Sequence, residues 1–122
     1  MSVVTGLDFV AVPSRDAERT RAFYVETLGL RPDDKAHFEF WVGDTCFGIW
    51  EPEKMGGTWT PQRNAHVAMH VEDVAEARRE LESKGVEFVG EILDTGVCHM
   101  AFFADPDGNH LMLHHRYKPR EA

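Results

Sequence analysis

The segment LDFVAVPSRDAERTRAFYVETLGL, residues 7–30, decides the fold. Residues 7–12 form a strand-like run, and Pro13-Ser14-Arg15 breaks it. Asp16 is suited to cap a helix, because its carboxylate accepts the free amides of the first turn. Phe23, Tyr24, Thr27 and Leu28 follow at three- and four-residue spacings, which predicts a helix with one apolar face turned to a sheet. Gly29 ends it, since glycine adopts the left-handed conformation common just past a helix terminus. A short strand is expected in or just after residues 30–32, then strands over 37–42 and 45–50 joined by a Gly43-Asp44 turn.

After a connector rich in Gly, Pro and Thr the same order returns. Residues 66–71 read as a strand, and Asp73 with Glu76 three residues on resembles a capping box. Val74, Ala77 and Leu81 form the apolar face of a second helix, which Gly85 stops. Strands are expected over 86–92, 97–104 and 109–115, with Asp105-Pro106-Asp107-Gly108 as a turn between the last two. Asp16 and Asp73 lie 57 residues apart and Gly29 and Gly85 lie 56 apart, so the copies stay in step. The chain therefore reads as an α+β protein of two tandem βαβββ modules within one domain, residues 1–122. Module one covers about 7–52, the connector about 53–64 and module two about 65–116.

Composition excludes several classes of function. The 13 basic residues stand against 21 acidic ones and are scattered, which argues against a nucleic-acid partner. No run of 18 apolar residues is present to cross a bilayer, and the N-terminus lacks the basic start and apolar run of a secretory signal. A cytoplasmic location with no membrane partner is the expectation. Cys46 and Cys98 are too few for a disulfide scaffold and lack CxxC spacing, so both are expected as reduced thiols. No glycine-rich phosphate loop, GxSxG elbow or HExxH helix occurs.

Ala22-Phe23-Tyr24 through Leu28-Gly29-Leu30 in the first copy and Asp105-Pro106-Asp107-Gly108-Asn109 in the second, set within paired modules, resemble the vicinal oxygen chelate superfamily. This is the glyoxalase I, bleomycin-resistance and extradiol-dioxygenase fold. The resemblance covers residues 7–116. It implies two curled half-barrel sheets around a cavity, usually in a homodimer with modules paired within or across chains. It also implies, in metal-dependent members, His and Glu ligands on the first and last strands of each module. The matching positions here are Phe9, Gly48, His66 and Met112, of which only His66 can serve as such a ligand.

Other histidines do not replace the lost ligands on this reading. Period-two alternation puts His66, Ala68 and His70 on one face of their strand, and His110, Met112 and His114 on one face of theirs. Residues four apart on a strand stand roughly 13 Å apart, too far to share an ion held at about 2.0–2.1 Å. A divalent metal is thus disfavoured, though His37, Glu39 or His99 on other strands remain as unorthodox ligands. Of His114 and His115, one is expected to be solvated. Cys98 and His99 point to opposite faces and cannot form a nucleophilic dyad.

The residues expected to face the cavity are Phe9, Ala11, Cys46, Gly48 and Trp50 from the first copy, and His66, Ala68, His70, His110, Met112 and His114 from the second. Trp59, on the connector, either covers the cavity mouth or packs on a partner. This mixture of aromatic, thioether and imidazole groups suits a flat organic ligand. The leading expectation is a cofactor-free binder of an aromatic or polycyclic natural product or antibiotic, of the bleomycin-resistance type, serving sequestration or a biosynthetic pathway. The alternative is an enzyme: a metal-dependent glyoxalase- or dioxygenase-like catalyst, or a metal-free isomerase or cyclase with His66, His70 or His110 as general base. A third reading is an interaction module whose cavity is filled by its own side chains.

Overall fold

The computed structural model describes residues 2–120, and the chain divides after Pro61 into two compact units. In the first, β1 (Phe9–Pro13) leads into α1 (Ala17–Ala22), which widens into a π-helical turn over Phe23–Thr27. Strands β2 (Arg31–Pro32), β3 (Glu39–Val42) and β4 (Thr45–Trp50) follow. The sheet order is β1-β4-β3-β2, with β1 parallel to β4 and the other pairs antiparallel.

The second unit contains β5 (Val67–His70), α2 (Val74–Ser83), β6 (Phe88–Asp94), β7 (Cys98–Ala104) and β8 (His110–Arg116). Its order, β5-β8-β7-β6 with β5 parallel to β8, reproduces that of the first unit. The α+β class and the duplicated βαβββ order expected from the sequence are therefore both present.

Local chemistry explains where the elements begin and end. The Asp16 carboxylate accepts from Arg19 N at 3.3 Å, and that of Asp73 accepts from Glu76 N at 3.0 Å. The expected reciprocal capping box does not close, because the Glu76 carboxylate instead pairs with Arg79 at 2.6 Å. β3 starts at Glu39 rather than residue 37, since the Asp33 carboxylate takes the amides of Lys35 and Ala36 and Glu39 N closes a turn on Ala36 O. The first helix also departs from the α spacing read in the sequence: Leu28 N bonds Phe23 O, five residues back.

Each unit buries one face of its sheet under its helix. In the first, Tyr24 packs against Phe40 and Phe47 at ring distances of 5.9 and 5.0 Å, with Val12, Ala17, Thr20 and Ile49 also buried. In the second, Val74 and Leu81 of α2 are buried, as are Met69, Ala101, Phe103, Leu111 and Leu113 of the sheet.

The Asp105-Pro106-Asp107-Gly108 turn closes with Gly108 N donating to Asp105 O at 2.9 Å, and Gly108 takes φ 91°, which favours glycine. The buried Asp105 carboxylate also accepts from Asp107 N, Asn109 N and Asn109 Nδ2 at 2.9, 3.0 and 2.8 Å. Asn109 Oδ1 in turn accepts from Gln62 N at 2.9 Å, which ties the start of the unit to its last strand.

Candidate functional site

The sheet face away from the helix carries the candidate residues in each unit. In the first, pairing sets Phe9 beside Cys46 and Cys46 beside Trp41, then Ala11 beside Gly48 and Gly48 beside Glu39, then Pro13 beside Trp50. Phe9 is 63% and Trp50 45% exposed, unusual for large apolar side chains on an ordered sheet. Trp41 donates through Nε1 to Asp33 Oδ1 at 2.9 Å. The buried Cys46 thiol donates to Glu39 Oε1 at 3.2 Å; burial, reinforced by that carboxylate, raises its pKa and keeps it a thiol. A Cβ on Gly48 would meet Phe38 O at 3.3 Å and Glu39 Cγ at 3.5 Å, so glycine leaves room for the Glu39 side chain. Trp59 lies under the Arg15 guanidinium, 4.7 Å from its ring centroid, and its buried Nε1 has no partner among the described residues.

In the second unit one cross-strand row runs Ala68, Met112, Phe102, Val89 and the next His70, His114, Met100, Leu93. Val89 and Leu93 are 74% and 47% exposed. His66, just before β5, sets its ring 5.0 Å from that of His110 and 5.3 Å from that of Phe102. Gln62 holds the His110 backbone on both sides, accepting from His110 N at 3.0 Å and donating to His110 O at 2.8 Å. The His110 Nδ1 is buried and lacks a partner among the described residues. Imidazoles, thioethers and aromatic edges thus share this face.

His70 keeps the expected pairing with His114 and also approaches His115. It closes β5, and its ring lies 5.7 Å from His115, which sits on the alternation of the buried Leu111 and Leu113 rather than that of Met112 and His114. Glu72 Oε1 is 3.1 Å from His70 Nε2. The expectation that one of His114 and His115 is merely solvated also changes, since both are half-buried and His115 bonds Val71 O at 3.1 Å. Neither Glu72 nor His115 was among the expected site residues. Their signal was the spacing of His70 and Glu72 across a strand end. Cys98 and His99 do diverge: Cys98 Sγ contacts Thr95 Oγ1 at 3.0 Å, while His99 meets Asp94 at 3.3 Å and sets its ring 4.9 Å from that of Tyr117.

A chain built of two βαβββ units with the same strand order defines a class of fold, and comparison with known proteins names it. The chain belongs to the Glyoxalase/Bleomycin resistance protein/Dioxygenase superfamily, whose family model matches residues 6–113. It is 28% identical over 117 residues to the Arabidopsis thaliana protein Glyoxylase I 4, covering 86% of this chain and 67% of that one. Among solved structures it is similar to a Bacillus anthracis glyoxalase family protein, with TM-score 0.81, 24% identity and coverage of 95% and 98% of the two chains. It is also similar to TnmS3, an antibiotic binding protein from Streptomyces sp. CB03234, with TM-score 0.72, 22% identity and coverage of 95% and 99%.

The residues at the positions of the superfamily's metal ligands do not fit a metal. Phe9 and Gly48 have no donor atom, Met112 offers only a thioether, and no third His, Cys, Asp or Glu joins His66 and His110 among the described residues. No helix among the described residues is long and apolar enough to cross a membrane.

Proposed function

We propose that the protein binds a small aromatic or polycyclic molecule without a metal or other cofactor, as a cytoplasmic homodimer serving sequestration or a biosynthetic pathway. The observation that carries this reading is the substitution of Phe9, Gly48 and Met112 for metal-ligating side chains on sheet faces that keep Trp50, Phe102, His66 and His110. Aromatic and thioether surfaces hold a flat ligand by stacking, and the paired rings of His66 and His110 add imidazole edges to the same face. The likeness to an antibiotic binding protein supports the same reading at the level of fold.

The test is titration of chelator-treated protein with a panel of polycyclic aromatic natural products, followed by tryptophan fluorescence. Saturable quenching is expected, with Trp50→Ala weakening the best ligand about tenfold through loss of one stacking partner. Absence of saturable binding to the metal-free protein, with binding restored by added metal, would sink the idea. Sedimentation at micromolar concentration is expected to give twice the chain mass.

The His66–His110 pair and the similarity to Glyoxylase I 4 favour a second reading, a catalyst using one of these imidazoles as general base. A His66→Ala variant that keeps ligand affinity but loses turnover would select it.

A further inference from the structure

We infer that His70, Glu72 and His115 form a divalent transition-metal site at the end of β5, separate from the positions where the superfamily places its metal. Each residue offers one ligand atom, and all three atoms lie within 4.8 Å of one another. An ion bound at about 2.0–2.1 Å in tetrahedral geometry needs its ligands roughly 3.3–3.5 Å apart. The His70 Nε2 to Glu72 Oε1 separation, 3.1 Å, is a few tenths of an ångström short of that spacing. The remaining adjustment falls on side chains free to move, since those of His70 and Glu72 are 64% and 88% exposed.

The orientation of His115 supplies an independent reason. Its Nδ1 is 3.1 Å from Val71 O, and because a carbonyl can only accept, Nδ1 carries the proton and Nε2 keeps its lone pair. A backbone carbonyl that fixes the tautomer and aims the other nitrogen outward is the usual outer-shell support of a metal-binding histidine. Val71 is held in turn by its own amide, which donates to His114 O at 3.0 Å. The anchor is therefore rigid while the other two ligands are adaptable.

Glu72 and His115 also line a cavity of about 330 Å³ with Val74, Ile92, His99 and Tyr117. Two imidazoles and one carboxylate leave at least one coordination position for water or an exogenous oxygen ligand, and the donor set suits Zn²⁺, Ni²⁺ or Cu²⁺ over Mg²⁺ or Ca²⁺. His115 lies on the helix-side alternation of β8, whereas Met112 lies on the opposite one, so this site neither requires nor replaces the proposed ligand face.

The experiment is calorimetric titration of the chelator-treated 122-residue chain with Zn²⁺, paired with Co²⁺ absorption spectroscopy. One equivalent is expected, with His70→Ala and His115→Ala each weakening Zn²⁺ at least tenfold and Glu72→Gln lowering the affinity and shifting the Co²⁺ bands. A His66→Ala/His110→Ala double variant is expected to bind as the parent does. Absence of saturable binding by the folded parent, or undiminished binding by a His70→Ala/His115→Ala variant, overturns the assignment. Circular dichroism of every variant separates lost ligation from lost folding. Ligand titrations repeated on His115→Ala separate failure here from failure of the metal-free binding reading.

Discussion

Exchanging the two partners in the Asp105 turn tests whether its hydrogen bonds hold the second unit together. Asp105→Asn keeps shape and one carbonyl oxygen. With that oxygen on the amides of Asp107 and Asn109, the introduced amide nitrogen faces Asn109 Nδ2 across the former 2.8 Å bond, donor against donor. Rotating the group moves the conflict onto two backbone amides, which is worse. Leaving a buried donor unpaired costs about 1–3 kcal/mol. Two such donors in contact therefore give a loss of about 2–6 kcal/mol, a large part of the 5–15 kcal/mol typical of a domain. Asn109→Asp alone sets two carboxylates in hydrogen-bond contact and is expected to cost at least as much. The double exchange restores the four hydrogen bonds described above: the new amide oxygen keeps the two backbone amides, and its nitrogen donates to the new carboxylate, whose other oxygen still receives Gln62 N. Urea denaturation followed by circular dichroism is expected to show the double variant about 1.5 kcal/mol or more above either single one. An Asp105→Asn variant within about 0.5 kcal/mol of the parent, or a double variant no more stable than the single ones, would refute the reasoning.

The other predictions concern the core, the first sheet and pH. Leu111→Ala removes a fully buried side chain and is expected to cost about 2–5 kcal/mol, whereas Met112→Ala, one residue on and facing away from the helix, costs under about 1 kcal/mol; urea midpoints compare them. Gly48→Ala forces a methyl to 3.3 Å from the Phe38 carbonyl, which already accepts from Ile49 N, so a loss of about 1 kcal/mol is expected and a stabilised variant would contradict it. Asp33 has its pKa lowered to about 2 by the amide of Ala36, the Trp41 indole and the amide of Lys35. A carboxyl whose folded pKa is depressed stabilises the fold above its unfolded pKa of about 3.9 and loses that contribution as pH falls toward 2. The melting-temperature gap between parent and Asp33→Asn is therefore expected at pH 7 and should close between pH 4 and 2.

Much of the fold was legible because its signals are local. Asp16 and Asp73 announce helix starts through their own carboxylates, and Gly85 and Gly108 mark stops and turns by backbone conformation. The widened turn at Phe23 was not legible, since residues spaced for an α-helix fit a π turn equally well. On the sheets, alternation sufficed to group Phe9 with Cys46 and Ala68 with Met112, because a strand interior has only two faces. At His70, the last residue of β5, the register still pairs it with His114, but alternation does not foresee the approach of its ring to within 5.7 Å of that of His115. The association of Glu72 with His115 depends on the register of two parallel strands, which no local pattern encodes.

The parallel pairing of β1 with β4 also governs the order in which this chain becomes structured as it is made. β1 sits at the sheet edge and has β4 as its sole neighbour, so Phe9 to Pro13 has no ladder to join until Thr45 to Trp50 has been synthesised. The β3–β4 hairpin needs only the two residues between Val42 and Thr45 to close, and is complete as soon as Trp50 exists. The oldest segment of each unit is thus the last to be locked in place, β1 by β4 and β5 by β8. Completing either sheet therefore requires closing the loop that runs across its helix, a longer closure than that of its antiparallel hairpins.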